Sequence, residues 1–133
     1  QLAPTNSGDH RVFAHDEASG AVSVPAIRID ELLAGERRVD FVLLDTQGSE
    51  RAVLEGMIET LSRFRPRLQA EFWPHGIRGF GDDPHEMAAF YHELGYHASV
   101  LGVDAPVDRD PARLVELAER SPGGFCTLIL TPY

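Results

Sequence analysis

The stretch Val39-Asp40-Phe41-Val42-Leu43-Leu44-Asp45-Thr46-Gln47-Gly48-Ser49-Glu50 decides the reading of this chain. Phe41 to Leu44 is a continuous apolar run with Asp on either side, the pattern of a strand covered on both faces, as in a parallel sheet. Gly48 or Ser49 then opens a helix. Val53, Leu54, Met57, Ile58 and Leu61 recur at helical spacing and predict one apolar stripe. Arg63 and Arg65 suit the negative end of the helix dipole, and Pro66 stops the helix. Leu68 to Phe72 supplies the next strand. Residues 39–73 therefore read as a βαβ unit, whose crossover is right-handed in nearly all cases. The unit places the acidic loop Asp45–Glu50 at the carboxyl edge of the sheet.

Upstream, residues 1–38 predict a hairpin, RVFA and AVSVPAI joined by HDEASG, followed by a short helix, ELLAG, capped by Asp30 and ended by Gly35. Downstream, residues 74–133 repeat the rhythm of helix and strand. Asp83-Pro84-His85-Glu86 is a capping box with Pro at the first helical position, before Met87, Phe90, Tyr91 and Leu94. A strand follows near His97 to Leu101, then a helix opened by Asp110-Pro111 with Leu114, Val115 and Leu117. Ser121-Pro122-Gly123-Gly124 turns the chain into a last strand, Phe125 to Thr131. The whole length of 133 residues suits one α/β domain.

Composition narrows the chemistry. The net charge of −9 disfavours nucleic acid and anionic lipid as partners. No apolar run approaches the roughly 20 residues of a membrane helix, and no secretion signal is visible, so a cytoplasmic location is expected. The 12 basic residues are all Arg, so no Schiff base and no P-loop lysine can form. The single Cys126, inside Phe125-Cys126-Thr127-Leu128-Ile129-Leu130, reads as a buried structural thiol.

Ligands of open α/β sheets bind beyond the carboxyl ends of the strands. Two polar segments are expected there. One is Asp45 to Glu50, leading into a helix N-terminus. The other is Glu71 to Asp83, EFWPHGIRGFGDD, which reads as a long loop carrying His75 and Arg78. Asp45 and Glu50 also suit plain capping and dipole roles. His75 suits an exposed loop, and Phe72 and Trp73 the core. Glu71 ends an apolar strand, where a carboxylate needs a partner. His92 and His97 are five apart with Gly95 between them, so they do not share a helical face as zinc-protease ligands do. Asp82, Asp83 and His85 read better as a solvated capping cluster than as metal ligands.

Taken together, Val24-Pro25-Ala26-Ile27-Arg28-Ile29-Asp30-Glu31-Leu32-Leu33, the stretch Val39–Glu50, Val53-Leu54-Glu55-Gly56 and Arg65-Pro66-Arg67-Leu68-Gln69-Ala70-Glu71 resemble the FkbM family of methyltransferases. That family shows a TLD-like turn, a strand ending in D-x-E-G-x-E, a VL-x-G helix and a strand ending in Glu. The resemblance covers about residues 20 to 75. It implies the carboxyl-terminal half of a Rossmann-like methyltransferase sheet, with an antiparallel final strand. It also implies S-adenosylmethionine as cofactor and a small-molecule or sugar hydroxyl as acceptor. By position it places Asp45 after the fourth strand, near cofactor and acceptor, Glu50 as the second acid of the motif, and Glu71 after the fifth strand. Asp45, Glu71 and His75 are the catalytic candidates, Thr46, Gln47, Gly48 and Glu50 are expected toward the cofactor, and no metal is expected. Gln47 departs from the family's Glu, and Leu43 from a common Lys. The family's glycine-rich loop and the acid after its second strand are not found here. The edge of strand 41–44 is then expected to be covered by a second copy or by an amino-terminal segment preceding Gln1. Two rival readings are a non-catalytic α/β module that binds a ligand or partner, and a metal-dependent hydrolase using Asp45, His75 and Asp82.

Overall fold

A computed structural model of the protein describes residues 23–103, 107 and 110–133. Among the described residues a four-stranded mixed sheet has the order β1-β2-β4-β3. Its strands are β1 (Phe41–Leu44), β2 (Arg67–Phe72), β3 (Tyr96–Val100) and β4 (Cys126–Pro132). β1 and β2 run parallel, with Leu44 opposite Ala70. β4 lies antiparallel to both β2 and β3, so the final strand has the expected direction.

Strict alternation governs burial. Leu68, Ala70 and Phe72 of β2 are buried, as are Cys126, Leu128 and Leu130 of β4 and Tyr96, Ala98 and Val100 of β3. Residues between them look outward, as period-2 pleating requires. β1 follows the same rule, which corrects the expectation of a strand covered on both faces. Leu44 is buried, but Phe41 and Leu43 remain 55% and 62% exposed among the described residues. An apolar run does not distinguish a doubly covered strand from an outer strand with one open face.

The connections explain how this sheet is held. The expected hairpin lies almost wholly outside the described residues, and its described tail, 23–28, is neither helix nor strand. Helix α1 spans Ile29–Leu32, and Asp30 sits inside it rather than capping it. The Asp30 carboxylate instead accepts hydrogen bonds from Thr60 N and Thr60 Oγ1, both at 2.8 Å, and from Glu59 N at 3.2 Å. It thereby caps another helix from a distance.

That second helix exists because the single helix expected after Ser49 is broken in two. α2 (Glu50–Glu55) ends at Gly56, and α3 (Ile58–Phe64) begins after Met57, whose φ of −132° is not helical. The break turns Met57 fully inward and leaves Ile58 40% exposed, so Ile58 does not belong to the apolar stripe. Arg65 closes α3 in the left-handed region, and its guanidinium donates to the carbonyls of Leu94, Gly95 and Tyr133 while lying over the Tyr96 ring.

The segment expected as a long loop is largely α4 (Pro74–Phe80), entered after Trp73 and closed by Gly81 at φ 109°. Pro74 is pre-organised for a first helical turn. Burial of Ile77 to 2% exposure then outweighs the poor helix propensity of Gly76 and Gly79. α5 (Pro84–Glu93) begins as the capping box predicts, the Asp83 carboxylate accepting from His85 N and Glu86 N. α6 (Pro111–Arg120) is capped in the same way by Asp110, which accepts from Arg113 N. α5 packs on α6 and β3, and Arg78 of α4 reaches Glu119 of α6 at 2.8 Å. Among the described residues no helix is long and apolar enough to cross a membrane.

Candidate functional site

Parallel pairing sets the level of the two acids. Leu44 and Ala70 are the last paired residues of β1 and β2, so Asp45 and Glu71 follow at the same height on neighbouring strands. Between them lies Gln47, whose Nε2 donates to Asp45 Oδ1 at 2.8 Å and to Glu71 Oε2 at 3.1 Å. An amide nitrogen has two hydrogens, and here each goes to a different carboxylate. A neutral donor thus holds two like charges side by side, and a Glu at this position would add a third carboxylate instead. Gln47 reaches them from a left-handed backbone, φ 56°, uncommon for a residue with a Cβ.

The loop behind this pair is tied inward. Glu50 is only 2% exposed, and its Oε1 accepts from Thr46 N at 3.0 Å and Gly48 N at 3.3 Å. Ser49 Oγ donates to the Thr46 carbonyl at 3.0 Å. Among the described residues Glu50 Oε2, Thr46 Oγ1 and the Tyr91 hydroxyl are buried without a hydrogen-bond partner. Burial, reinforced by the Glu50 carboxylate and Cys126, pushes the Tyr91 hydroxyl far above the ordinary phenol range, so it stays protonated.

Gly48 explains how the loop meets α4. A Cβ placed there would lie 2.3 Å from the Gly76 carbonyl oxygen, and one at Gly76 would lie 2.0 Å from the Trp73 ring. Two glycines and an indole edge therefore stack where any side chain would collide. Sequence reasoning singled out Gly48 but gave no role to Gly76, and it read Tyr91 only as an inward-facing residue of its helix, which its burial bears out. The only signal for Gly76 was a glycine near the start of a segment that proved helical.

The other expected residues are placed as follows. His75 stands exposed on the first turn of α4, its ring 5.5 Å from that of Trp73, and is not part of the amide-bridged pair. Asp83 and His85 serve the α5 terminus, as a capping cluster does. Cys126 is buried, and burial pushes its thiol up to about 11, which suits a structural thiol.

A mixed α/β sheet with paired acids at the carboxyl ends of adjacent parallel strands is a setting for ligand chemistry, and comparison of the chain with protein families makes the class a methyltransferase. The model of the FkbM methyltransferase domain matches residues 2–98, and the chain belongs to that family. The match extends past both ends of the motifs quoted above. Among curated proteins and solved structures, none matches the chain.

Proposed function

We propose that the protein takes part in S-adenosylmethionine-dependent methyl transfer to a hydroxyl oxygen of a small molecule or sugar. The Asp45–Gln47–Glu71 cluster carries this reading. Two carboxylates level with each other and bridged by a neutral amide make a locally anionic surface. That donor set fits the cationic end of the cofactor, toward which Thr46, Gln47 and Gly48 present the loop. When bound, S-adenosylmethionine supplies a methyl group carried on a positively charged sulfur.

The chain's own residues have two tasks. One is alignment, since in-line displacement depends on holding the attacking oxygen in place. The Gln47 bridge and the Gly48–Gly76 contact serve it by fixing the loop against β2 and α4. The other is proton transfer, in which a carboxylate of the Asp45–Glu71 pair takes the acceptor's hydroxyl proton. His75, exposed beside Trp73 on α4, is a second candidate base near the acceptor. The strand order supports the reading as well. The antiparallel β4 in the order β1-β2-β4-β3 agrees with the antiparallel final strand expected of the carboxyl-terminal half of a Rossmann-like methyltransferase sheet.

Calorimetric titration of the full-length protein with S-adenosylhomocysteine tests the proposal, together with methyl transfer from radiolabelled S-adenosylmethionine to a panel of hydroxylated acceptors. Binding is expected, with Asp45→Asn and Glu71→Gln lowering turnover by about 10²- to 10⁴-fold, the range for loss of a general base. No heat of binding at millimolar ligand would sink the reading.

A further inference from the structure

Glu50 is costly where it lies. A carboxylate at 2% exposure loses its hydration, and only one of its oxygens has hydrogen-bond partners among the described residues. The positive end of α2 offsets part of that cost. A neutral side chain of similar size would be easier to bury, so the acid must be read by what it holds.

It holds alternate amides. Glu50 Oε1 takes the N–H groups of Thr46 and Gly48, while Gln47, the residue between them, sends its side-chain amide to Glu71 and to Asp45, the residue just before Thr46. N–H donors bond an ionised acceptor about twice as strongly as a neutral one. Ser49 Oγ locks the same turn through the Thr46 carbonyl, and Gly48 seats it on Gly76.

We propose that Glu50 is a positioning residue: buried beneath the loop, it sets the Gln47 amide between Asp45 and Glu71 and touches no ligand itself. Its position in the D-x-x-x-x-E stretch, read from sequence as pointing toward the cofactor, is on this view a structural pin for the site. The functional consequence rests on the methyltransferase reading given above, whereas the loop geometry does not.

Hydrogen exchange followed by NMR separates the two. In the unaltered protein the Thr46 and Gly48 amides are expected to exchange at least about tenfold more slowly than in an unfolded chain. Glu50→Ala should abolish that protection and shift the side-chain amide resonances of Gln47. Glu50→Gln, which keeps an acceptor oxygen of the same reach, should preserve both. Affinity for S-adenosylhomocysteine should follow the loop, falling about tenfold or more in the Ala variant and recovering in the Gln variant.

Unprotected Thr46 and Gly48 amides in the unaltered protein overturn the proposal, and that measurement needs no variant to fold. Loss of affinity in Glu50→Gln with exchange protection intact also overturns it, because a direct charge contact with the ligand would then be at work. If the unaltered protein binds no S-adenosylhomocysteine, the methyltransferase reading fails, while the exchange rates and the Gln47 resonances still judge the positioning role.

Discussion

Replacing Gly48 by Ala gives the sharpest test of how the loop is seated. The added Cβ would stand 2.3 Å from the Gly76 carbonyl oxygen and 2.4 Å from its carbon, so backbone meets backbone and no flexible side chain can swing aside. The residue also sits at φ 104°, which L side chains rarely adopt. The conformational part costs about 1–3 kcal/mol. Forced overpacking adds about 1–3 kcal/mol more. Their sum, roughly 2–6 kcal/mol, is a large share of the ~5–15 kcal/mol that holds a typical domain together. For a chain of 133 residues this corresponds to a Tm lowered by roughly 7–21 °C in a circular-dichroism melt. Gly81→Ala is the internal control. It has a similar φ of 109° but nothing within 4 Å of the new Cβ, so it carries the conformational part alone. If Gly48→Ala melts within about 3 °C of the parent, or no lower than Gly81→Ala, the reasoning about the Gly48–Gly76 contact is wrong.

Three further outcomes are expected. Asp30→Ala should cost about 1–2 kcal/mol by uncapping α3, measured by urea denaturation at pH 7. Burial alone would raise the Asp30 carboxyl, but the hydrogen bonds from Thr60 and Glu59 outweigh it and hold it below the ordinary 3.8. Its contribution is therefore present above that pH and lost as pH falls through the lower folded-state value, so the gap between variant and parent should close in strong acid. Arg65→Ala should cost about 2–4 kcal/mol in the same assay, since one guanidinium serves three carbonyls and covers the Tyr96 ring. Arg65→Lys should recover only part of it, because an ammonium lacks the planar fork. Finally, Cys126, buried and with its thiol pushed up to about 11, should resist iodoacetamide at pH 8 in the folded protein and react in urea. Alkylation at the rate of a free thiol would contradict the burial.

Much of the sheet was legible because strands and caps are local. The apolar runs at 41–44 and 68–72, the capping box at Asp83, the helix opening at Asp110-Pro111, and the turn at Pro122-Gly123-Gly124 lie where the residues themselves demand them. The motifs around Asp45 and Glu71 likewise pointed to the family that the match over residues 2–98 establishes. Other features were hidden because their causes are distant in sequence. α4 forms in a glycine-rich segment because Ile77 finds a core to enter. Asp30, a sound cap for its own helix on sequence grounds, serves α3 because the fold brings Glu59 and Thr60 to it.

The loop from Asp45 to Glu50 shows the division most clearly. Sequence alone determined that an acidic turn would follow a strand and precede a helix at the carboxyl edge of the sheet, since hydrophobic period and helix-opening residues are short-range signals. Only the tertiary structure decided which way each acid faces. β2 brings Glu71 level with Asp45, α4 presents a bare glycine for Gly48 to rest on, and Glu50 turns beneath the loop while Gln47 bridges the pair. Those assignments follow from the meeting of strands, helices and backbone far apart in the chain, and no local pattern encodes them.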